Sequence, residues 1–261
     1  MAIIDRYDGL LIDIDGVVRV GDEFLPDARD AITELEARGL PYAFVTNSPR
    51  LTPAEHAEEL RAGGVPVPDG GVVTAAETLI SFILDLTGAG IGAVVVGTDS
   101  FRRQVAEAGI EEVALDRWED ATAVMVSGHD RFDYGELKAA AMAARAGAVL
   151  AATGSDPTMP MPDGHWPGTG SILAAIETAS GAQATVTGKP FPAIFEAGLE
   201  AIGRPGKVAM IGDRSDTDVA GAQAVGLDGI LVSRPESASA QPGVEGVDPD
   251  HRIGSLLDLF S

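Results

Sequence analysis

The 261-residue chain contains no cysteine, which excludes disulfide bonds and thiolate metal sites. A cytoplasmic location is the simplest expectation, because disulfides belong mainly to oxidising compartments. No basic and then apolar leader precedes the first strand-like run, and no stretch of about 18 uncharged apolar residues occurs. We therefore expect neither a signal peptide nor a membrane span.

Positive charge is also scarce, with 18 Lys and Arg against 40 Asp and Glu, a net charge of −22. Only three lysines occur, Lys138, Lys189 and Lys207. Such a surface repels nucleic acid and anionic membranes, so neither is an expected partner. The acid-rich, lysine-poor composition resembles proteins of salt-loaded cytoplasms, with an ordinary acidic protein as the alternative. Because 45% of the residues are hydrophobic and fall in regular runs, disorder does not explain it.

Short apolar runs alternate with amphipathic stretches along the chain, an order that predicts an α/β protein with a parallel sheet covered on both faces. Strands are predicted over 7–15, 41–47, 92–97, 121–128, 148–153, 207–213 and 228–233. Helices are predicted over 27–39, 53–64, 74–86, 99–109, 134–147, 171–181, 191–203 and 216–226. The glycine- and proline-rich segment 154–170 and the segment 234–252 are predicted to be loops.

Two aspartates, Asp13 and Asp15, close the first apolar strand. Side chains two positions apart point the same way, and ligands bind beyond the carboxyl ends of parallel strands. Two charges at the end of a buried strand need compensation, which a metal ion would supply. Two solvated strand-end residues are the alternative, since the same spacing recurs elsewhere in this acidic chain.

Hydroxyl, amide and ammonium groups follow two further strands. Thr46, Asn47 and Ser48 end the second strand, where they could hold a phosphate or form a helix cap before Pro49. Lys189 follows Gly188, and a lysine beside a glycine at a strand end suits a phosphate oxygen. A solvated surface lysine is the alternative, although lysine is nearly excluded from the chain.

Asp213 ends another apolar strand, and Asp218 lies five residues further on. Carboxylates at such a position favour Mg²⁺, a hard ion that takes oxygen ligands. A calcium-binding loop of the helix–loop–helix kind is excluded, because its glycine and closing glutamate are missing. A helix cap by Ser215 or Asp216 is compatible with the metal site, since different residues would perform each task.

Taken together and in order, these segments resemble the haloacid dehalogenase superfamily, and within it the NagD-like, 4-nitrophenylphosphatase-type hydrolases. The motifs that carry the resemblance are DIDGVV (13–18), VTNSPR (45–50), GKPFPAIF (188–195) and GDRSDTDVAGAQAVG (212–226). VSGHDRFDYGELKAA (126–140) and LAATGSDPTMP (150–160) also follow the family's pattern. The resemblance covers nearly the whole chain.

The resemblance implies a Mg²⁺-dependent phosphatase that works through an aspartyl-phosphate intermediate. It makes Asp13 the nucleophile and Asp15 the general acid and base. The metal ligands implied are Asp13, the backbone carbonyl of Asp15, and Asp213. The phosphate-binding groups implied are Thr46, Asn47 and Lys189, and Asp218 would orient the metal shell or Lys189.

The resemblance also implies a Rossmann-like core with an inserted, smaller α/β cap domain. The interval between Asp13 and Thr46 holds one helix, so the insertion falls between Thr46 and Lys189. We predict a core over 1–77 and 183–261 and a cap over 78–182. His129, Asp130 and Arg131 follow a cap strand and are candidate specificity residues, with an exposed polar turn as the alternative.

One departure concerns the substrate. The family usually has Asn-Pro-Asp after the cap threonine, whereas Thr153 is followed here by Gly-Ser-Asp. We expect a small-molecule phosphate monoester as substrate: a sugar phosphate, a nucleoside monophosphate or a phosphoglycolate-like compound. The alternatives are a dehalogenase and a catalytically silent binding protein on the same scaffold. A homodimer is the oligomeric state to be tested.

Overall fold

The computed structural model describes residues 1–161, 164–234 and 247–261. The strands are β1 Gly9–Ile12, β2 Arg19–Val20, β3 Glu23–Phe24, β4 Tyr42–Thr46, β5 Val72–Thr74, β6 Gly92–Val96, β7 Glu111–Glu112, β8 Ala123–Val126, β9 Val149–Ala152, β10 Thr158–Met161, β11 Gly164–Pro167, β12 Thr185–Val186, β13 Val208–Gly212, β14 Asp228–Val232 and β15 His251–Ile253. The α-helices are α1 Pro26–Ala37, α2 Pro53–Ala62, α3 Ala75–Thr87, α4 Asp99–Glu107, α5 Tyr134–Arg145, α6 Thr169–Ser180, α7 Pro192–Ala201 and α8 Ala220–Ala224.

The chain divides into two compact units. The first comprises residues 1–46, 53–73 and 189–261, and the second comprises residues 47–52 and 74–188. Each unit is built on its own parallel sheet, which confirms the predicted α/β class.

The first unit contains a six-stranded sheet with the order β15-β14-β13-β1-β4-β5. Strand β1 lies between β13 and β4 and pairs with both in parallel, and all four of its residues are buried. Residues of α1, α2 and the short 3₁₀-helix Leu256–Phe260 pack on one face of the sheet, against Leu10 and Ile12. Helix α7 covers the other face, where Gly198 approaches Leu11 and Val45 closely. Because β1 is covered on both faces, it reads as a continuous apolar run.

The second unit contains a five-stranded sheet with the order β12-β9-β8-β6-β7, and its described pairings are all parallel. Residues of α5 and α6 pack on one face, and those of α3 and α4 on the other. Side-chain caps fix where these helices begin. Thr74 accepts a hydrogen bond from the Glu77 amide at the start of α3, and Asp133 and Glu136 form a capping box at the start of α5.

Three sequence predictions need correction. The segment 154–170 is not all loop, because it contains the antiparallel hairpin β10–β11 and the start of α6. Prolines are tolerated in this hairpin because both of its strands are edges. The predicted helix over 216–226 begins with a π-helical turn, Ser215–Val219. The predicted loop over 234–252 lies largely outside the described residues, but His251 begins β15, which pairs with β14.

No helix within the described ranges has the length and apolar character that crossing a bilayer requires.

Candidate functional site: a buried carboxylate–lysine cluster

Asp13 and Asp213 follow neighbouring parallel strands of the first unit. Ile12 pairs with Ile211 in the register of β1 and β13, so both strands deliver an aspartate to the same edge of the sheet. The backbone N–H of Asp13 donates a hydrogen bond to the Ile211 carbonyl at 2.8 Å, which extends the ladder by one residue and fixes the Asp13 backbone. Both aspartates are buried. Their proximity is therefore a product of strand order.

Lys189 is buried among three oxygen atoms. Its Nζ lies 2.7 Å from Oδ1 of Asp13 and 2.7 Å from Oδ1 of Asp218, and it donates a hydrogen bond to the Val45 carbonyl at 3.2 Å. The side chain is only 3% exposed. The predicted phosphate-binding lysine is thus not a solvated surface residue, because its charge sits against the predicted nucleophile.

Asp218 is fully buried in the π-helical turn after β13. Its Oδ2 accepts a hydrogen bond from the Arg214 N–H at 3.0 Å. Gly212 makes this close approach feasible, since a Cβ there would lie 2.2 Å from the Cβ of Asp218. Asp218 therefore closes the turn with one oxygen and contacts Lys189 with the other.

A divalent cation fits this cluster. Asp13, Asp213 and Asp218 each offer a carboxylate oxygen, and the three oxygens lie within 4.8 Å of one another. The Lys189 ammonium contacts two of these carboxylates, Asp13 and Asp218, and Asp213 adds a third acidic group. A dication would balance the negative charge that one ammonium leaves. The donors are hard oxygens, the kind that Mg²⁺ and Ca²⁺ take.

Glycine at position 16 leaves room for the Asp213 carboxylate. Its φ is +85°, a region that side-chain-bearing residues rarely adopt, and a Cβ there would lie 2.0 Å from Oδ2 of Asp213. The loop after Asp13 therefore approaches the Asp213 carboxylate more closely than any other residue type would allow.

Burial and charge act on the cluster in opposite directions. Burial raises the pKa of Asp13 well above its ordinary value, and the carboxylates of Asp218 and Asp213 raise it further, while Lys189 opposes them. Burial alone would lower the pKa of Lys189, but Asp13 and Asp218 outweigh burial and raise it. Lys189 is consequently a stable ammonium at neutral pH. A bound cation would favour the carboxylate form of Asp13.

The Asp15 side chain does not join the three-carboxylate cluster. It is 46% exposed, and its Oδ1 accepts a hydrogen bond from Nε of Arg19 at 3.0 Å. Sequence reasoning missed Arg19. The available signal was a single cation inside the apolar run VVRV (17–20), where a charged side chain must find a partner.

The remaining core candidates lie at the end of β4. Thr46 is the last residue of β4 and is 1% exposed, and β4 pairs with β1 in parallel, which places Thr46 at the same sheet edge as Asp13. Asn47 follows it in the chain, is partly buried and belongs to the second compact unit. Their roles, and that of the Asp15 carbonyl, stay predictions.

The three specificity candidates of the second unit differ in exposure. The His129 side chain is only 6% exposed, with Nε2 at 3.2 Å from Oε2 of Glu136 and its ring edge-on to Phe132. Asp130 and Arg131 are exposed, and Arg131 pairs with Asp99 at 3.3 Å. Their contribution to specificity stays a prediction.

Two family profiles match this chain. One described as haloacid dehalogenase-like hydrolase matches residues 10–111, which include Asp13 and Thr46. One described as HAD-hydrolase-like matches residues 186–259, which include Lys189, Asp213 and Asp218.

Similar curated proteins are phosphatases by name. The chain is 36% identical to a D-glycerol 3-phosphate phosphatase of Mycobacterium tuberculosis over 234 residues, which cover 88% of this chain and 64% of that protein. It is 29% identical to an acid sugar phosphatase of Staphylococcus aureus over 257 residues, 98% of each. The chain thus spans just under two thirds of the mycobacterial protein and nearly all of the staphylococcal one.

Solved structures extend the similarity to the whole fold. The glycerol phosphate phosphatase of Mycobacterium tuberculosis in complex with magnesium aligns with a TM-score of 0.86 at 30% identity, over 99% of this chain and 78% of that one. A 4-nitrophenylphosphatase from Thermotoga maritima aligns with a TM-score of 0.85 at 28% identity, over 99% and 98%. With the buried carboxylate–lysine cluster and both profile matches, these similarities mean that the chain belongs to the haloacid dehalogenase-like hydrolases.

Proposed function

We propose that this protein is a Mg²⁺-dependent phosphatase that hydrolyses small-molecule phosphate monoesters through an aspartyl-phosphate intermediate. The observation that carries the proposal is the position of Asp13. Its Oδ1 contacts the ammonium of Lys189, and its carboxylate lies close enough to that of Asp213 for both to bind one metal ion. The phosphatase names of the relatives in both comparisons support the same reaction class.

In the first half-reaction, a carboxylate oxygen of Asp13 attacks phosphorus and forms an acyl-phosphate bond. The bond from phosphorus to the ester oxygen breaks, and Asp15 donates a proton to that oxygen, which leaves as the alcohol. The Asp15 side chain is half-exposed, as a group that exchanges protons with substrate and water should be.

In the second half-reaction, a water molecule attacks the phosphorus of the Asp13 acyl phosphate. Asp15 is now a carboxylate and takes the proton of that water, while the bond from phosphorus to Asp13 breaks. Inorganic phosphate leaves, the Asp13 carboxylate is restored, and Asp15 regains its proton. The covalent intermediate divides one displacement into two easier ones.

Positioning of the phosphoryl oxygens falls to Lys189, Thr46 and Asn47. Phosphoryl transfer spreads negative charge over three oxygens, so fixed cations and donors do most of the work. Mg²⁺, held by Asp13, Asp213 and the Asp15 carbonyl, would neutralise part of that charge and reduce repulsion between nucleophile and substrate. Asp218 would act through Lys189, whose Nζ lies 2.7 Å from it. In a chain of net charge −22, such local cations matter more than they would in a neutral protein.

Substrate choice is assigned to the 78–182 insertion as a cap domain, with His129, Asp130 and Arg131 as candidate contacts. The names of the relatives favour glycerol phosphate and sugar phosphates among the monoesters expected from the sequence. The Gly-Ser-Asp sequence after Thr153 distinguishes this chain from the usual family pattern. We further propose a cytoplasmic protein, without nucleic-acid or membrane partners, that forms a homodimer. Cell fractionation and light scattering test these assignments.

The decisive experiment measures hydrolysis of 4-nitrophenyl phosphate by the wild type and by Asp13→Asn, each with Mg²⁺ and with a chelator. We expect turnover only in the wild type with Mg²⁺ and a loss of at least about 10³-fold in Asp13→Asn. Asp22→Asn, which removes the same charge from an exposed turn of the same unit, is the matched control and should keep wild-type turnover. Equal rates for Asp13→Asn and wild type would refute the assignment.

A second measurement tests the intermediate. Because Asp15→Asn lacks the base for the second half-reaction, it should accumulate phosphorylated Asp13 after 4-nitrophenyl phosphate is added. Intact mass after an acid quench should show one added phosphoryl group, and peptide mapping should place it on Asp13. If the protein were a dehalogenase or a silent binding protein, neither the wild type nor Asp15→Asn would become phosphorylated.

A further inference from the structure

Arg19 is a buried cation at the start of β2, directly after the turn that follows β1 and Asp13. Arg19 is only 6% exposed, although the neighbouring Asp15 carboxylate is half-exposed. The loop around it is closed by backbone hydrogen bonds: the Arg19 N–H donates to the Ile14 carbonyl at 3.1 Å, and the Gly16 N–H donates to the Arg19 carbonyl at 2.7 Å. The Arg19 backbone is therefore held by the same loop that carries Asp15.

The guanidinium group connects two carboxylates. Nε donates to Oδ1 of Asp15 at 3.0 Å, and one terminal nitrogen donates to Oε2 of Glu59 at 2.8 Å. Glu59 lies on α2, so the contact joins the loop to a helix of the same unit. Burial lowers the pKa of Arg19, but the two carboxylates outweigh burial and raise it. The guanidinium is thus permanently charged.

A planar guanidinium that is bound at two points has little rotational freedom. The guanidinium therefore fixes the orientation of the carboxylate that it binds, which the ammonium of a flexible lysine would not do. Among the described residues, Asp15 has no other hydrogen-bond donor, and its Oδ2 accepts none. The contact with Arg19 therefore determines which oxygen of Asp15 faces the protein and which is available for chemistry.

We infer that Arg19 is a positioning residue for the proposed general acid: it anchors Oδ1 of Asp15, leaves Oδ2 as the proton-carrying oxygen, and is itself held by Glu59. The inference rests on the proposed function, because it assigns Arg19 a role through Asp15. A merely structural arginine would stabilise the loop without affecting one chemical step more than another.

The dependence on the leaving group separates these two roles. A poor leaving group such as an alkoxide needs the proton from Asp15 as it departs, whereas 4-nitrophenolate is a much better leaving group and needs it less. The constant kcat/KM reports only the steps up to the first irreversible one, which includes departure of the alcohol. Hydrolysis of the intermediate, which is common to all substrates, does not enter it.

The experiment compares Arg19→Gln with wild type on 4-nitrophenyl phosphate, phenyl phosphate and glycerol 3-phosphate, with Mg²⁺ present. We expect kcat/KM to fall about 100-fold for the alkyl ester and less than about 10-fold for 4-nitrophenyl phosphate, with phenyl phosphate between them. Arg19→Lys keeps the charge and serves if Arg19→Gln does not fold, and it should show the same order with smaller losses. Glu59→Ala should show the same order of losses more weakly still, because Arg19 keeps its hydrogen bond to Asp15 but loses the one to Glu59.

Arg234→Gln is the matched control, since it removes another arginine–aspartate pair of the first unit, with 16% and 20% exposed side chains. It should alter stability without changing the ratios among the three esters. Equal losses on all esters in the Arg19 variants, or no loss, would overturn the positioning role while the proposed function stands. A wild type that hydrolyses none of the esters would overturn the proposed function first.

Discussion

The Nζ atom of Lys189 lies 2.7 Å from Oδ1 of Asp218, a residue that is fully buried in the turn after β13. The same Nζ lies 2.7 Å from Oδ1 of Asp13. One ammonium thus stands between two carboxylates in the interior of the first unit, and neither carboxylate could keep its charge there without a partner. These two contacts therefore affect the stability of the fold and hold the Lys189 ammonium in position for a substrate.

Replacing Lys189 by Met should destabilise the metal-free protein by about 3–5 kcal/mol, because it leaves buried carboxylates unpaired. Saturating Mg²⁺ should restore part of the loss, since a cation binds the folded cluster and not the unfolded chain. Phosphatase activity should still be lost, because the phosphoryl oxygens lose their ammonium. Urea unfolding with a chelator and with Mg²⁺ measures the first two effects.

Lys207→Met is the control for that substitution. Lys207 is 54% exposed and pairs with Asp228 at 2.6 Å, so its loss should cost less than about 1 kcal/mol. If both lysine variants lost the same stability, the contacts of Lys189 with Asp13 and Asp218 would not contribute the expected stability of about 3–5 kcal/mol.

Gly16→Ala should weaken Mg²⁺ binding at least about tenfold, because the added methyl group displaces the Asp213 carboxylate. It also places a Cβ at φ +85°, which costs roughly 1–2 kcal/mol. Gly21→Ala isolates that second effect, since Gly21 has φ +59° and no atom within 4 Å of the added Cβ. Titration calorimetry with Mg²⁺ should show weakened binding in Gly16→Ala alone; comparable weakening in Gly21→Ala would point to general strain.

Asp27 should make stability depend on pH in the acid range. Burial raises its pKa, but hydrogen bonds from Arg234 at 2.6 Å, Ser255 at 2.7 Å and the Leu256 N–H at 3.3 Å outweigh burial, and the pKa is lowered. A lowered folded-state pKa contributes stability above the ordinary value of 3.8, and the contribution is lost as pH falls through the folded-state value.

Asp27→Asn should therefore cost about 1–3 kcal/mol at neutral pH, and the cost should shrink below a pH of about 4. Denaturant unfolding of both proteins across this pH range measures the difference. Asp30→Asn, an exposed position of the same helix, should show no such trend. A cost for Asp27→Asn that does not change with pH would contradict the ionic origin of the effect.

Salt should stabilise the protein if its acidity reflects a high-salt cytoplasm. A net charge of −22 repels itself, and the screening length falls from about 10 Å at 0.1 M to about 3 Å at 1 M salt. We expect both the melting temperature and the turnover of 4-nitrophenyl phosphate to rise from 0.1 M to about 2 M KCl. Full stability and activity in dilute buffer would exclude the salt adaptation.

Much of the fold could be read from apolar periodicity. The runs that became β1, β4, β8 and β13 are continuous and short, as buried parallel strands must be, and their neighbours have helical spacing. The hairpin β10–β11 was missed because its prolines read as strand breakers, and β15 was missed because a three-residue edge strand carries almost no periodic signal.

The sequence by itself determined that aspartates end two buried strands and that one of three lysines follows a strand, and so predicted the chemistry of the cluster. Only the tertiary structure decided that β1 and β13 are neighbours, which brings Asp13 and Asp213 together, and that Arg19 reaches back to Asp15. Local spacing fixes which way a side chain leaves its own strand. The order of strands in a sheet and the burial of a charge depend on contacts between distant segments, which no local pattern encodes.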